Sequence, residues 1–171
     1  MQRENERGAC PSFLLHMIKK EKILEILEPK LNNTGVFLVS LEIGSGNKIL
    51  VEVDKNPSIS IDECVSISRQ IEQNLDREEE DFELRVSSPG LDKPIRHPLQ
   101  FEKNVGRKLK VIFEDKTISG KLIDFSENTL TLQWFEKIKI EGKKKKITEE
   151  ITKKVNLDII KEAKVIISFN D

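Results

Sequence analysis

The residue types that most often do chemistry in proteins occur in this chain at isolated positions. The two histidines are His16 and His97, and the two cysteines are Cys10 and Cys64, in a chain of 171 residues. Neither pair has the spacing of a nucleophile beside its base or of a four-ligand zinc site. The carboxylates at 78–81 follow one another along a charged stretch, which is typical of a solvated loop. The sequence therefore predicts no catalytic centre, no metal site, no cofactor and no small-molecule substrate.

The most specific local pattern is residues 87–94, which run Ser-Ser-Pro-Gly-Leu-Asp-Lys-Pro. Pro89 and Gly90 suit the two central positions of a type II turn, and this predicts a positive φ at Gly90. The pattern is typical of a stiff linker turn. Alternatively, nearby cations and the turn amides form a small anion-binding surface. The residues that would supply its charge are Arg85, Lys93, Arg96 and His97.

The strongest local positive charge is the run Lys143-Lys144-Lys145-Lys146. It has two interpretations. Lysines at this density are typical of a solvated hairpin tip, or of an edge strand whose charges prevent pairing with another chain. Taken alone, the run favours that interpretation, but lysine clusters also bind backbone phosphates without any base being read.

Composition and charge distribution limit the classes of partner. Lysine plus arginine number 29 against 30 aspartates and glutamates, which excludes a uniformly basic nucleic-acid binder. The charge is uneven, because the residues before His97 carry 13 basic against 18 acidic side chains, whereas those after it carry 16 against 12. The aromatic residues are eight phenylalanines and one tryptophan. So few rings argue against recognition by base stacking.

The chain begins without a recognisable targeting signal. Residues 1–16 mix glutamate with arginine and lack the apolar segment of a signal peptide, and no run reaches the ~18 apolar residues of a membrane span. Because the first helical pattern starts just after Met17, residues 1–16 are expected to be a disordered leader or a misassigned start. With only two cysteines, the chain fits a reducing compartment. The sequence predicts a cytoplasmic protein with no membrane partner.

Two helices are predicted in the first half. The first starts near Ile18 and ends at residues 33–35, with Pro29 inside it. The second begins at a capping box formed by Ser60 and Glu63. The apolar face expected for the second helix consists of Ile61, Cys64, Val65, Ser68, Ile71 and Leu75.

Three strands accompany these helices. Residues 36–43 and 49–53 alternate around a glycine-rich turn and predict a β-hairpin, and a further strand follows at 82–86. The face expected to be buried on the first strand consists of Phe37, Val39, Leu41 and Ile43. The first half therefore has the predicted order α-β-β-α-β.

Beyond Lys93 the pattern predicts an all-β barrel. Alternating strands at 109–113, 118–125 and 130–134 are separated by tight turns, and a hairpin through the lysine run follows. The last strand is predicted at Val165–Phe169. We expect an α+β protein with domains at residues 17–92 and 93–171.

Residues 84–95 resemble the signature segment of the bacterial ribosome maturation factor RimP family. Residues 26–29, 35–39 and 62–76 also resemble stretches of that family, and the resemblance covers residues 18–169. It departs at Arg85, where an acidic residue is usual, and at Lys93 and Ile95, where arginine and leucine are usual.

The resemblance implies an N-terminal domain with a KH-like layout and a C-terminal Sm-like or SH3-like barrel. It also implies a non-catalytic assembly factor that binds the free small ribosomal subunit, through ribosomal RNA and a small-subunit ribosomal protein, and promotes its late maturation. The alternative from the residues alone is a cytoplasmic adaptor whose barrel binds a peptide. The candidate ribosome-contacting residues are Arg85, Ser87, Ser88, Pro89, Gly90, Lys93, Arg96, Lys143, Lys144, Lys145 and Lys146.

Overall fold

The structure, a computed structural model, describes residues 17–78, 81–114, 116–139 and 146–167. The leader expected at residues 1–16 and the lysines at 143–145 lie outside these ranges. The described residues form three α-helices and two β-sheets, and this α+β class is the one that the sequence predicts.

The N-terminal unit, residues 17–87, has the predicted order α-β-β-α-β. Its elements are α1 (Lys20–Thr34), β1 (Val36–Gly44), β2 (Lys48–Lys55), α2 (Ile61–Asn74) and β3 (Glu83–Ser87). The sheet order is β1-β2-β3, and β3 runs parallel to β2. A parallel pair needs a crossover connection, which α2 supplies.

Local signals fix the ends of both helices. Gly35 ends α1 in the left-handed region at a φ of 70°, and Pro29 lies inside that helix. The side chain of Ser60 accepts a hydrogen bond from the Glu63 amide, and Glu63 reaches back to the Ser60 amide. The predicted capping box is confirmed.

The buried face of α2 differs from the prediction. Ile61 is 82% exposed and Val65 is also exposed, whereas Ile67 is fully buried. The residues of α2 and its end that pack on the core are Cys64, Ile67, Ile71 and Leu75. Their spacing of three, four and four residues follows one helical stripe. The prediction is confirmed for Cys64, Ile71 and Leu75, and it is wrong for Ile61 and Val65.

A β-bulge corrects the prediction for β1. Leu38 lies opposite Val53, but Ser40 lies opposite Glu52, so Val39 is an extra residue in the strand. The bulge breaks the alternation, because one extra residue reverses which face the following side chains occupy. Leu38 therefore packs on the core with Leu41. Phe37, expected to share the face of Leu41, lies on the opposite face.

The C-terminal unit, residues 98–167, is built around a five-stranded antiparallel sheet. Its elements are α3 (Pro98–Lys103), β4 (Lys108–Phe113), β5 (Lys116–Ser126), β6 (Thr129–Lys139), β7 (Lys146–Asn156), a 3-10 turn (Leu157–Ile159) and β8 (Ile160–Val165). The sheet order is β7-β6-β5-β4-β8. The first three strands and the long hairpin of β6 and β7 confirm the sequence predictions.

Two features of this unit correct the sequence predictions. It is not all-β, because α3 starts at Pro98, a residue favoured at the first helical position, and buries Phe101 against Phe125. The last described strand ends at Val165 rather than starting there. Its register places Ala163 opposite Val111, and this pairing buries Ala163 in the core.

Candidate functional site

The expected anion site lies where the two units meet. The helices α1 and α2 cover one face of the first sheet, and the connector, residues 88–97, contacts the other face together with α3. We call this region the junction. The first-sheet residues at the junction are Phe37, Ser40, Glu42, Glu52, Asp54, Arg85 and Ser87.

Lys93 and Arg96 of the connector are ion-paired with this sheet. The Lys93 ammonium hydrogen-bonds to the Glu52 carboxylate, and Arg96 approaches Glu42 at 3.3 Å. Partial burial raises the pKa of Glu52, but hydrogen bonds from Lys93 and Ser40 outweigh it and the pKa is lowered. Both cations therefore attach the connector to β1 and β2.

A more deeply buried ion pair joins α3 to β2. The Lys103 ammonium hydrogen-bonds to both carboxylate oxygens of Asp54, at 2.7 and 2.8 Å. The two side chains are only 15% and 5% exposed. Sequence reasoning missed this pair, because the partners lie 49 residues apart and α3 itself was not predicted.

His97 positions α3 against the first sheet. Its ring stacks on Phe37 with centroids 4.7 Å apart, and its Nδ1 accepts a hydrogen bond from the Leu99 amide at 3.2 Å. Partial burial lowers the pKa of His97 despite the opposing charge of Glu102. A neutral ring is the form that can accept the Leu99 hydrogen bond. His97 is thus a helix cap and an interface residue.

The junction brings most of the expected cations together, but with carboxylates among them. Arg85, Lys93 and Arg96 line a depression of about 380 Å³, and so do Glu42 and Glu52. Ser87 lines it as well, whereas Ser88 is exposed and Pro89 is half-buried. The junction is therefore a paired electrostatic contact between two parts of the chain.

The prediction of a positive φ at Gly90 is wrong. The described glycines with positive φ are Gly35, Gly46 and Gly106. The Lys93 amide donates to the Gly90 carbonyl at 3.0 Å, so the reverse turn spans residues 90–93 and Gly90 is its first residue. The predicted turn was two residues too early.

The lysine run falls, in sequence, between the end of β6 at Lys139 and the start of β7 at Lys146. Lys139 of β6 pairs with Lys146 of β7, the first residue of that strand. Lys143, Lys144 and Lys145 fall outside the described residues, so their role stays a prediction.

Lysines also face one another across the second sheet. On β4, Lys108 and Lys110 are exposed and alternate with the buried Leu109 and Val111. Lys108 lies directly opposite Lys121 of β5, and Lys110 lies opposite Lys164 of β8. We call this solvent-facing side of the second sheet the outer face. Like charges directly opposite one another destabilise a sheet.

A depression of about 860 Å³ is lined by Lys108 and Lys121 of the outer face, together with Gly120, Trp134 and Val165. We call it the outer groove. Its cationic side chains are Arg107, Lys108 and Lys121, and no carboxylate is among the described residues that line it. Phe135 of β6 lies at the groove and is 70% exposed. Two further exposed apolar residues, Leu91 and Ile167, also border it. Sequence reasoning missed this site, because Lys121 of β5 is distant in sequence from Arg107 and Lys108 at the start of β4.

Two further kinds of chemical group in the described residues are potential metal ligands and the thiol of Cys64. No group of three or more histidine, cysteine or acidic side chains with metal-binding geometry occurs among them. Cys64 packs on the first core, and burial raises the pKa of its thiol, with Glu63 and Asp54 adding to the effect. In the described part of the chain, none of the helices is long and apolar enough to cross a membrane.

Known proteins match this chain over most of its length. The family described as the RimP N-terminal domain matches residues 26–92. Ribosome maturation factor RimP of Christiangramia forsetii is 40% identical over 154 residues, covering 88% of this chain and 99% of that protein. The protein of the same name from Flavobacterium psychrophilum is 38% identical over 154 residues, covering 90% and 100%. That from Porphyromonas gingivalis is 38% identical over 139 residues, covering 80% and 91%.

Proposed function

This chain belongs to the ribosome maturation factor RimP family, and from that premise we propose that it is a non-catalytic assembly factor of the small ribosomal subunit. In this proposal it binds the free subunit in the cytoplasm and promotes late maturation. The observation that carries the proposal is 40% identity extending over 99% of a relative named ribosome maturation factor RimP. A match of that extent spans the first sheet, the connector and β4 to β6 of the second sheet.

We propose that the two units are domains, at residues 17–92 and 93–171, with a KH-like and an Sm-like or SH3-like layout. Two separate apolar clusters support the division, one under α1 and α2 and one around β4, β5 and β6. Each sheet is also complete within one unit. Fragments 17–91 and 93–171 should therefore each fold alone, as measured by circular dichroism. A fragment that is unfolded while the whole chain is folded would contradict the division.

We propose that the two units divide the partners between them. The acidic residues before His97 repel RNA and suit a basic ribosomal protein, whereas the residues after it are net positive and suit ribosomal RNA. Lys143 to Lys146 are proposed phosphate contacts. On the N-terminal side, the exposed Arg85 and Ser88 are the proposed contacts, together with the adjacent Ser87, Pro89 and Gly90. Lys93 and Arg96 already have carboxylate partners, so their proposed role is to position this segment.

Sedimentation and direct binding test the proposal. The protein should co-sediment with free small subunits and not with large subunits, and its affinity should fall as salt rises because phosphate contacts release counterions. Replacing Lys143 to Lys146 by glutamine should reduce that salt dependence without unfolding the protein. If the wild type fails to bind small subunits at any salt concentration, the assembly-factor proposal fails. The peptide adaptor then becomes the better account.

A further inference from the structure

We propose that the outer groove binds a single-stranded segment of RNA, with phosphates on Arg107, Lys108 and Lys121 and a base stacked on Phe135. This inference rests on the proposed function for the source of the RNA. The groove itself is inferred from the geometry of the second sheet. Of its lining residues, only Leu91 belongs to the segment 87–94 that the sequence singles out.

The outer groove carries positive charge that has no ion-pair partner among the described residues. Lys108 and Lys121 lie directly opposite each other, and no described carboxylate forms an ion pair with either one or with Arg107. Glu150 of β7 lies directly opposite Phe135, and its carboxylate accepts a hydrogen bond from Gln133. Two facing ammonium groups without a counterion disfavour the folded sheet, and a bound phosphate would relieve that repulsion.

The outer groove also has an exposed aromatic ring, that of Phe135, close to its cations. Phe135 points to the same side of the sheet as Gln133, which lies opposite Lys121, so the ring is diagonal to that ammonium. The few rings of this chain argue against a platform for many bases, but one phenylalanine that is 70% exposed is sufficient for one base. A phosphate-binding groove beside such a ring is the combination by which proteins hold single strands. Leu91 and Ile167 form apolar borders around it.

These features favour a single strand over a duplex. The faces of paired bases are stacked inside a helix, so Phe135 could stack only on an unpaired base. Gly120 is also among the residues that line the depression, and an added Cβ there would lie 2.9 Å from the Gln133 carbonyl oxygen. Glycine thus permits β5 and β6 to approach closely beneath the groove.

Fluorescence anisotropy with the full chain and a labelled oligouridine of about ten nucleotides tests the proposal. Phe135→Ala should weaken binding by about tenfold, since stacking contributes substantially for each base. The double variant Lys108→Gln/Lys121→Gln should lower the slope of log affinity against log salt by about 1.4, because two phosphate contacts are lost. The control Lys19→Gln/Lys20→Gln makes the same charge change on the N-terminal unit and should leave affinity unchanged.

The outcomes separate this proposal from the assembly-factor proposal. It is overturned if the wild type does not bind the oligouridine, if a duplex of the same length binds as tightly, or if Phe135→Ala has no effect. It is also overturned if Phe135→Ala weakens binding to small subunits but not to oligouridine, because the groove would then hold a protein. If oligouridine binds in a Phe135-dependent manner and small subunits do not bind, the groove proposal is supported and the assembly-factor proposal fails.

Discussion

The junction and the outer groove both concentrate cations, yet their charges have opposite surroundings. At the junction, Lys93, Arg96 and Lys103 each meet a carboxylate of the first sheet. In the outer groove, Lys108 meets another lysine across the strands. A cation that is paired with a carboxylate of the same chain helps to stabilise the fold. A cation that lies opposite another cation does not stabilise the fold, and its charge is available to a ligand. Local density of lysine and arginine does not distinguish these cases.

The largest effect should come from the buried pair at the junction. Asp54→Ala leaves the Lys103 ammonium in a site where it is only 15% exposed, so the free energy of unfolding should fall by about 3 kcal/mol. Urea denaturation measures the change. The double variant Asp54→Leu/Lys103→Met removes both charges and should recover most of the loss. A loss below about 0.5 kcal/mol for Asp54→Ala, the level of an exposed pair, would show that the junction contact is marginal.

Each of the two regions contains a glycine, and the effects of replacing these glycines by alanine on stability can be compared. Gly120→Ala places a Cβ 2.9 Å from the backbone carbonyl oxygen of Gln133, so it should destabilise the protein by about 2 kcal/mol. At Gly90 the nearest atom is the Asp92 carboxylate, which is on a side chain that can rotate away. Gly90→Ala should therefore cost less than about 0.5 kcal/mol. Thermal unfolding of both variants checks the order, and equal losses would contradict the geometry at Gly120.

The same substitution should have opposite effects in the two regions. Lys93→Gln removes a partner of Glu52 and should destabilise the protein by about 0.5 kcal/mol. Lys108→Gln removes a repulsion with Lys121 and should stabilise it by a few tenths of a kcal/mol, roughly the size of a cross-strand pair. Both changes should shrink as salt is added. Destabilisation by Lys108→Gln in urea titrations would show that this lysine has an internal counterion.

The smallest effect should be a dependence on pH at His97. The pKa of His97 is lowered from 6.5 in the folded protein. As the pH falls through this value, the unfolded chain therefore binds more protons than the folded protein does. Stability should therefore decrease on acidification through this range, as the Leu99 amide loses its acceptor. His97→Asn keeps a capping side chain that does not titrate, so its unfolding free energy should vary less between about pH 7.5 and 5.5. Identical pH profiles for both proteins would exclude this role.

Structural features that depend on a few adjacent residues were predictable from the sequence. Ser60 and Glu63 predict the start of α2, and alternation predicts β4, β5 and β6. Features that depend on distant partners were not predictable. The bulge at Val39 is visible only in the pairing of β1 with β2, and it moves Phe37 from the core to the junction.

The same limit applies to the sites. The segment around Pro89 and Gly90 identified the family and the place where the two units meet. It did not reveal that Glu42 and Glu52 lie opposite its cations, because those carboxylates come from other strands. The outer groove requires the register that pairs Lys108 with Lys121. Charge spacing along one strand carries no information about its neighbour.

The most direct test of this account is the salt dependence of binding to free small ribosomal subunits for two variants of equal charge change. Lys108→Gln/Lys121→Gln should lower the slope of log affinity against log salt by about 1.4, whereas Lys93→Gln/Arg96→Gln should leave the slope unchanged. Unfolding measurements on the same samples establish that both variants are folded. An unchanged slope for the outer-groove variant, together with a lowered slope for the junction variant, would contradict the assignment of RNA binding to the groove and of structural pairing to the junction.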